Sequence, residues 1–224
     1  MAARTASLLP LTRDRILRAA LELADEGGIE AVTMRKLGQT LGFEAMSLYN
    51  HVANKDDLLV GLLDLVLAEA EAPSPDDDWV TAIRTIASSV HKALRQHRWA
   101  AALFMSAAHV TPARLRYMDS LLGRLREAGF PPDTTYHAYH VLDGHIFGFS
   151  QWENSHAEAA TKMPPEVMAS FMELIPEAEY PYLYEHGRQH TTEGPHRAVS
   201  AFEFGLDLIL DGLQKIHAGS PRVS

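Results

Sequence analysis

The chain has 224 residues, 46% of them hydrophobic and 22% charged, with 20 Lys and Arg against 29 Asp and Glu for a formal charge of −9. That length permits one or two domains with a substantial core, and the apolar content excludes an intrinsically disordered chain. The absence of Cys excludes a disulfide-stapled secreted scaffold, and the apolar runs are shorter than the roughly 20 residues of a membrane-spanning helix.

The N-terminal stretch lacks the apolar segment of about 7 to 15 residues that a secretory signal needs, so a cytoplasmic protein without membrane partners is expected. Charge is unevenly spread along it. Residues 1–60 carry seven basic side chains (Arg4, Arg13, Arg15, Arg18, Arg35, Lys36, Lys55) and eight acidic ones, net −1, which leaves −8 for residues 61–224. Eleven of the twelve His also lie beyond residue 60. Phosphate binding draws on Lys and Arg, so a polyanion partner is excluded for the acidic part and left open for the first. The two ends are expected to face different partners.

In chain order, the apolar rows Ile16, Ala20, Leu23 and Leu17, Leu21, Ala24 predict an amphipathic helix over 12–24, capped by Thr12 and ended by Gly27 and Gly28. Thr33 is a second N-cap, for a helix at 34–41 that turns Met34, Leu37 and Leu41 inward and stops at Gly42. A short helix at 45–51 follows, anchored by Leu48. Asn54, Lys55, Asp56 and Asp57 resemble a capping box for a helix over 54–70 with an acidic first turn. Pro73 and Pro75 with Asp76, Asp77 and Asp78 mark a boundary, Asp77 or Asp78 capping the next helix. Beyond it helices are expected at about 79–97, 99–108, 111–128, 132–155, 165–175 and 197–217, with mobile connections at 156–164 and 176–196. No stretch alternates at period two long enough for a strand, so the fold class is all-α.

Helix, tight turn with Gly, short helix is the helix-turn-helix unit, which lays its second helix in the DNA major groove. Seven residues at 45–51 span about 10 Å, comparable with a groove about 12 Å wide. With Leu48 turned in, Ala45, Met46, Ser47, Tyr49, Asn50 and His51 are left to reach base edges or phosphates, and Arg35 and Lys55 flank them. Asn50 is suited to adenine, Ala45 or Met46 to a thymine methyl. By pattern alone, a three-helix subdomain with a solvated face is equally open.

The run from Ile29 to Phe43, and above all Leu48-Tyr49-Asn50-His51-Val52-Ala53-Asn54-Lys55-Asp56-Asp57-Leu58-Leu59, resembles the DNA-binding domain of the TetR (tetracycline repressor) family. Trp79, Gly129-Phe130 and Phe202-Glu203-Phe204-Gly205-Leu206 extend the likeness loosely to the tetracycline repressor branch. The resemblance implies operator contacts at Arg35, Ala45, Ser47, Tyr49, Asn50, His51 and Lys55; Thr33 and Met46 complete the candidate set. Tetracycline repressors often carry a large aromatic where Asn50 stands, so a different operator is implied.

It also implies an N-terminal three-helix DNA-binding domain at 1–60, a connecting helix at 54–70, and a helical effector-binding and dimerisation domain at 73–217. Loosely aligned, Ile86, Phe104 and Leu121 stand where tetracycline repressors hold polar drug-contacting or metal-binding groups, Phe104 replacing the metal-ligating His. Glu153 matches a carboxylate near that metal. The candidate effector site is therefore Ile86, Val90, Phe104, Met105, Met118, Leu121, His145, Phe149, Trp152 and Glu153, for a mainly apolar aromatic molecule rather than a magnesium-tetracycline chelate, with no cofactor and no resident metal. Two apolar stripes on the last helix predict a homodimer. One is Phe202, Leu206, Ile209, Leu213 and Ile216, the other Phe204, Leu208 and Gly212, with Gly144, Gly148, Gly205 and Gly212 allowing close backbone approach.

Other constellations carry less. His186 and His190 have metal-ligand spacing, but Gly187 stands where H-E-x-x-H needs Glu. His137, His140 and His145 share one helix with Glu153, a pattern more typical of a cavity or interface lining. Gly148-Phe149-Ser150-Gln151-Trp152 lacks the last Gly of a nucleophile elbow, and no phosphate loop occurs. Two other readings remain: an all-α small-molecule binding module without DNA affinity, and a small α-helical enzyme, for which no catalytic set stands out.

Overall fold

The computed structural model describes residues 10–106, 110–162, 173–192 and 200–219. Among them are α1 (Arg13–Gly27), α2 (Met34–Leu41), α3 (Ala45–Leu48), α4 (Lys55–Ala68), α5 (Trp79–Gln96), α6 (Ala100–Met105), α7 (Pro112–Glu127), α8 (Pro132–Asp143), α9 (Ser150–Lys162), α10 (Pro181–Thr192) and α11 (Ala201–Gly219), and no strand. The helix starts obey local chemistry. Thr12, Thr33, Asn54, Asp78 and Thr111 each accept a backbone N–H of the first turn through a side-chain oxygen, with Pro112 opening α7. Of the two Asp expected to cap α5, it is Asp78 that does so.

Four expectations are corrected. The short helix at 45–51 is regular only over Ala45–Leu48; Asn50 N–H bonds Ser47 O and His51 N–H bonds Leu48 O, a tightened turn that satisfies its last carbonyls. The 132–155 segment is one continuous rod, but Gly144–Phe149 within it is π-helical, and the rod runs on through 156–162 where a mobile connection was expected. Two Gly of low helix propensity lie in the wound-out segment, and Ser150 Oγ donates to Ile146 O at 2.6 Å, competing with the backbone ladder. The expected mobile stretch at 176–196 contains α10. The helix expected at 165–175 lies almost wholly outside the described residues.

Two apolar clusters form. Ile16, Leu17, Ala20 and Leu23 of α1, Leu37 of α2, Leu48, Val52, and Leu58 and Leu62 of α4 make the smaller. The larger joins α5 to α8, the π segment and Phe202, Leu206, Leu210 and Leu213 of α11 with Leu63, Val66 and Leu67 of α4. Helix α4 thus gives one flank of its apolar surface to each core, and Gly61 lets it approach α1: a Cβ there would stand 2.6 Å from Leu17 Cδ2.

Candidate DNA-reading surface, domain joint and effector interior

The α2-turn-α3 unit is held by backbone geometry. Gly42 adopts φ 75°, and the Phe43 N–H bonds Gly38 O at 2.9 Å while the Gly42 N–H bonds Gln39 O at 3.4 Å, the paired bonds of a Schellman ending. Gly38 sits where a Cβ would be 2.7 Å from Phe43 O and 3.2 Å from Ala45 N, so the turn and the start of α3 lie directly against the α2 backbone. Leu48 is fully buried as its anchor, which leaves Met46 (75% exposed), Tyr49 and Asn50 on the outer surface, with Ala45, Ser47 and His51 half-buried beside them. Arg35 and Lys55 are exposed, Lys55 with only a 4.0 Å contact to Glu30. Thr33 is exposed too, its hydroxyl engaged as the α2 cap.

Sequence spacing did not indicate what fixes this unit against α1 and α4. Arg13 donates Nη1 and Nη2 to the two Asp57 oxygens at 2.8 and 2.7 Å, and Nη1 also reaches His51 O at 3.2 Å. Asp57 accepts the Ala53 N–H as well, at 2.9 Å. The Arg13 guanidinium, and after it the Ala53 N–H, hold the Asp57 carboxyl below the usual carboxylate range.

The joint between the two cores is polar. His97, buried at the end of α5, sets Nδ1 2.8 Å from Asp25 Oδ1 of α1 and Nε2 3.2 Å from Glu69 Oε2 just after α4. Trp99 Nε1 donates to the same Asp25 oxygen at 2.8 Å. On the other side of α4, Asp64 accepts the Ala113 N–H of α7 at 2.6 Å. None of these contacts was legible beforehand, because each joins residues 28 to 74 positions apart.

The residues expected to line an effector site fall into two groups. Ile86, Val90, Phe104 and Leu121 are buried together in the larger core, with Met118 against it; the Phe104 and Phe147 rings lie 5.2 Å apart and Tyr117 meets Phe147 edge-on at 5.7 Å. His145, Phe149 and Glu153 gather instead around His91, a residue the sequence did not single out. His91 stacks on Phe202 at 3.7 Å, and Phe202 stacks on His145 at 4.8 Å. Burial, then Arg95 and His145, push the His91 ring down to about 4. Neutral His91 places Nδ1 2.8 Å from Ser150 Oγ, whose own proton goes to Ile146 O. Nε2 then faces Glu153 Oε2 at 3.4 Å, and Arg95 Nε lies 3.6 Å from the same buried oxygen, which accepts no hydrogen bond from either. Met105 and Trp152 are about half exposed and stand outside the closed interior. A cleft of about 330 Å³ opens between the end of α4, α5 and α7; of the candidate residues only Ile86 lines it, beside Leu67, Ala113 and Tyr117.

The expected dimer residues are corrected in part. Phe202, Leu206 and Leu213 belong to the protomer's own core, Ile209 packs against that core, and Gly205 makes room for the His145 ring, which a Cβ there would meet at 2.5 Å. The other stripe of α11 is outward: Phe204 and Leu208 are 61% and 60% exposed, Ile216 joins them, and Gly212 has open space at its Cβ position. Gly144 and Gly148 are likewise open, next to exposed Val141.

Residues 16–62 match the family model described as bacterial regulatory proteins, tetR family, and residues 72–217 that of the tetracyclin repressor-like C-terminal domain. The chain is 30% identical to the HTH-type transcriptional repressor DrrR1 of Streptomyces coeruleorubidus, over 93% of its own length and 79% of that protein, and 30% identical to the class C tetracycline repressor protein of Escherichia coli, over 92% of each. Among solved structures it resembles ActR from Streptomyces coelicolor, free (TM-score 0.75, 26% identity, 94% and 98% of the chains) and in complex with actinorhodin (TM-score 0.73, 27% identity, 95% and 100%). A buried-anchor helix-turn-helix, a helix shared with a second all-α core, and family matches over both parts lead to one conclusion: the chain belongs to the TetR family of ligand-responsive, DNA-binding transcriptional regulators.

Proposed function

We propose that the protein is a homodimeric repressor, with residues 1–60 reading a palindromic operator and 73–217 holding the effector and the dimer contact. Its release signal is a mainly apolar aromatic molecule that is not a magnesium-tetracycline chelate. The observation that carries the ligand response is α4, whose Leu58 and Leu62 pack in the DNA-reading core and whose Leu63, Val66 and Leu67 pack in the effector core. A shift of α7 or α5 in the larger core acts on α4 through the Ala113–Asp64 bond and the His97 bridge, and so on the spacing of two recognition helices in a dimer. Ligand lowers operator affinity only by its preference for the shifted state; a 99:1 reversal of a 1:99 equilibrium requires about a 10⁴-fold preference.

The interior supports an aromatic ligand: Phe104, Tyr117, Phe147 and Phe149 supply ring surface, and polar anchors are few. Phe104, standing by resemblance in the place of the metal-ligating His, is a hydrocarbon and leaves Glu153 a poor magnesium site by itself. The relative ActR bound to actinorhodin supports a small molecule in the same fold. Selection from random duplexes is expected to enrich a palindrome, and titration of that complex with planar aromatic molecules to dissociate it, whereas tetracycline with magnesium leaves it intact. An absence of any enriched motif, or release by magnesium-tetracycline, overturns the reading.

A further inference from the structure

Helix α3 is regular for only four residues, and the chain passes from it through 49–54 into α4. A helix that short has no stability of its own, so its direction must be set from outside. Arg13, the first residue of α1, reaches the connection that follows it. It donates Nη1 to His51 O at 3.2 Å and to Asp57 Oδ2 at 2.8 Å, and Nη2 to Asp57 Oδ1 at 2.7 Å and Asp57 O at 3.3 Å. Asp57 Oδ2 also accepts the Ala53 N–H at 2.9 Å. The connection is therefore held at the His51 carbonyl and at the Ala53 N–H, with Val52 fully buried between them. Tyr49, Asn50 and His51 precede this hold and Lys55 follows it, so the candidate DNA-contacting residues flank it on both sides. The Arg13 and Asp57 side chains are 42% and 31% exposed, and an ion pair so open to solvent adds little to stability. Its weight lies in direction. A planar guanidinium that meets a carboxylate with two nitrogens has its plane fixed, and the fork then fixes where His51 O must lie. Helix α1 is a firm base for that fork: Ile16 and Leu17 lie in the smaller core, and a Cβ on Gly61 of α4 would stand 2.6 Å from Leu17 Cδ2 and 3.4 Å from Arg13 Nη2.

We propose that Arg13 is a positioning residue for operator recognition: by tying the His51 carbonyl to the Asp57 carboxylate it sets the angle at which α3 and its last turn meet the base edges, without itself touching DNA. This rests on the operator reading above. Reading a base edge requires side chains held within about 0.5 Å of their productive place by the residues behind them, whereas phosphate contacts carry no sequence information. Loss of the fork therefore falls on sequence preference and spares general affinity for DNA. Asp57 balances the charge of Arg13, so the pair adds nothing to the count of phosphates neutralised. The side chain acts through its geometry, and lysine, a single ammonium without the planar fork, cannot reproduce it.

The test measures binding of the full-length chain, Arg13→Lys and Arg13→Gln to two duplexes of equal length and composition, the palindrome enriched by selection and a scrambled version of it. Fluorescence anisotropy is read over a salt series, at a temperature where circular dichroism shows each variant folded. Arg13→Lys and Arg13→Gln are each expected to weaken palindrome binding about tenfold, to leave the scrambled duplex within about twofold, and to leave the slope of log K against log salt unchanged. Adding Asp57→Asn to Arg13→Gln is expected to cost nothing further on the palindrome, because both residues act through one contact. Equal weakening on both duplexes with a slope lowered by about one makes Arg13 a phosphate contact and overturns the proposal. A lowered Tm with palindrome affinity within about twofold of the parent makes the pair a matter of stability alone and overturns it too, as does full palindrome affinity in Arg13→Lys. A parent chain that enriches no duplex overturns the operator reading and this role with it.

Discussion

Leu48 illustrates what a single side chain settles here: fully buried at the end of α3, it decides which of its neighbours face outward, and its truncation to Ala is expected to cost about 2 to 5 kcal/mol. Among the outward residues, roles differ by chemistry. Lys55 makes one long exposed contact to Glu30, worth little, so a phosphate can claim it. Lys55→Ala is expected to weaken operator binding across sequences and to lower the slope of log K against log salt by about one, whereas Asn50→Ala relaxes base preference at one position; fluorescence anisotropy over a salt series separates them. The Arg13–Asp57 clamp has a pH signature. Its folded carboxyl ionises below the unfolded range near pH 4, so its stabilisation is complete above about pH 4 and is lost as pH falls through the lowered folded value. Asp57→Asn is therefore expected to be less stable at pH 7 and to show a flatter fall in Tm below pH 4 than the parent chain, measured by thermal melts from pH 7 to 2.5.

At the scale of elements, glycines do opposite things. At Gly38 the obstacle to a side chain is the Phe43 carbonyl, part of the turn itself, so Gly38→Ala must push α3 off α2. The expected cost is about 1 to 3 kcal/mol in urea unfolding, with operator binding reduced beyond what the stability loss explains. Gly144 and Gly148 have open space, and their service is to the π segment and to an exposed face. The helix starts were legible because capping is written within three or four residues: Thr12, Thr33 and Asn54 each cap as their spacing implied. The interior of the 132–162 rod was not legible, since a π segment depends on which side chain competes for which carbonyl. Ser150 does so at Ile146, and no periodicity announces it.

For the whole molecule, we propose that the outward stripe of α11 makes the dimer contact. Leu208→Glu is expected to give a folded monomer at micromolar concentration in analytical ultracentrifugation, with palindrome binding lost, because Leu208 is exposed in the protomer. Leu206→Glu is expected to unfold the chain instead, since Leu206 lies in the protomer's core and a buried unpaired carboxylate has no partner there. A Leu208→Glu variant that sediments as a dimer would move the interface elsewhere.

By itself the sequence determined the all-α class, the helix-turn-helix, the N-caps and the inward Leu48, because each rests on interactions spanning a few residues and on a hydrophobic period read directly from the chain. It also held both stripes of α11 but not their assignment: 3.6-residue periodicity states that two faces are apolar and is silent on which one the protomer covers. Tertiary packing decided that, burying Phe202, Leu206 and Leu213 and leaving Phe204 and Leu208 outside. The same holds for the polar joints. Arg13 with Asp57, His97 with Asp25 and Glu69, and Arg114 with Asp143 pair over separations of 28 to 72 residues, and such pairs exist only where packed helices carry the partners to within hydrogen-bonding distance.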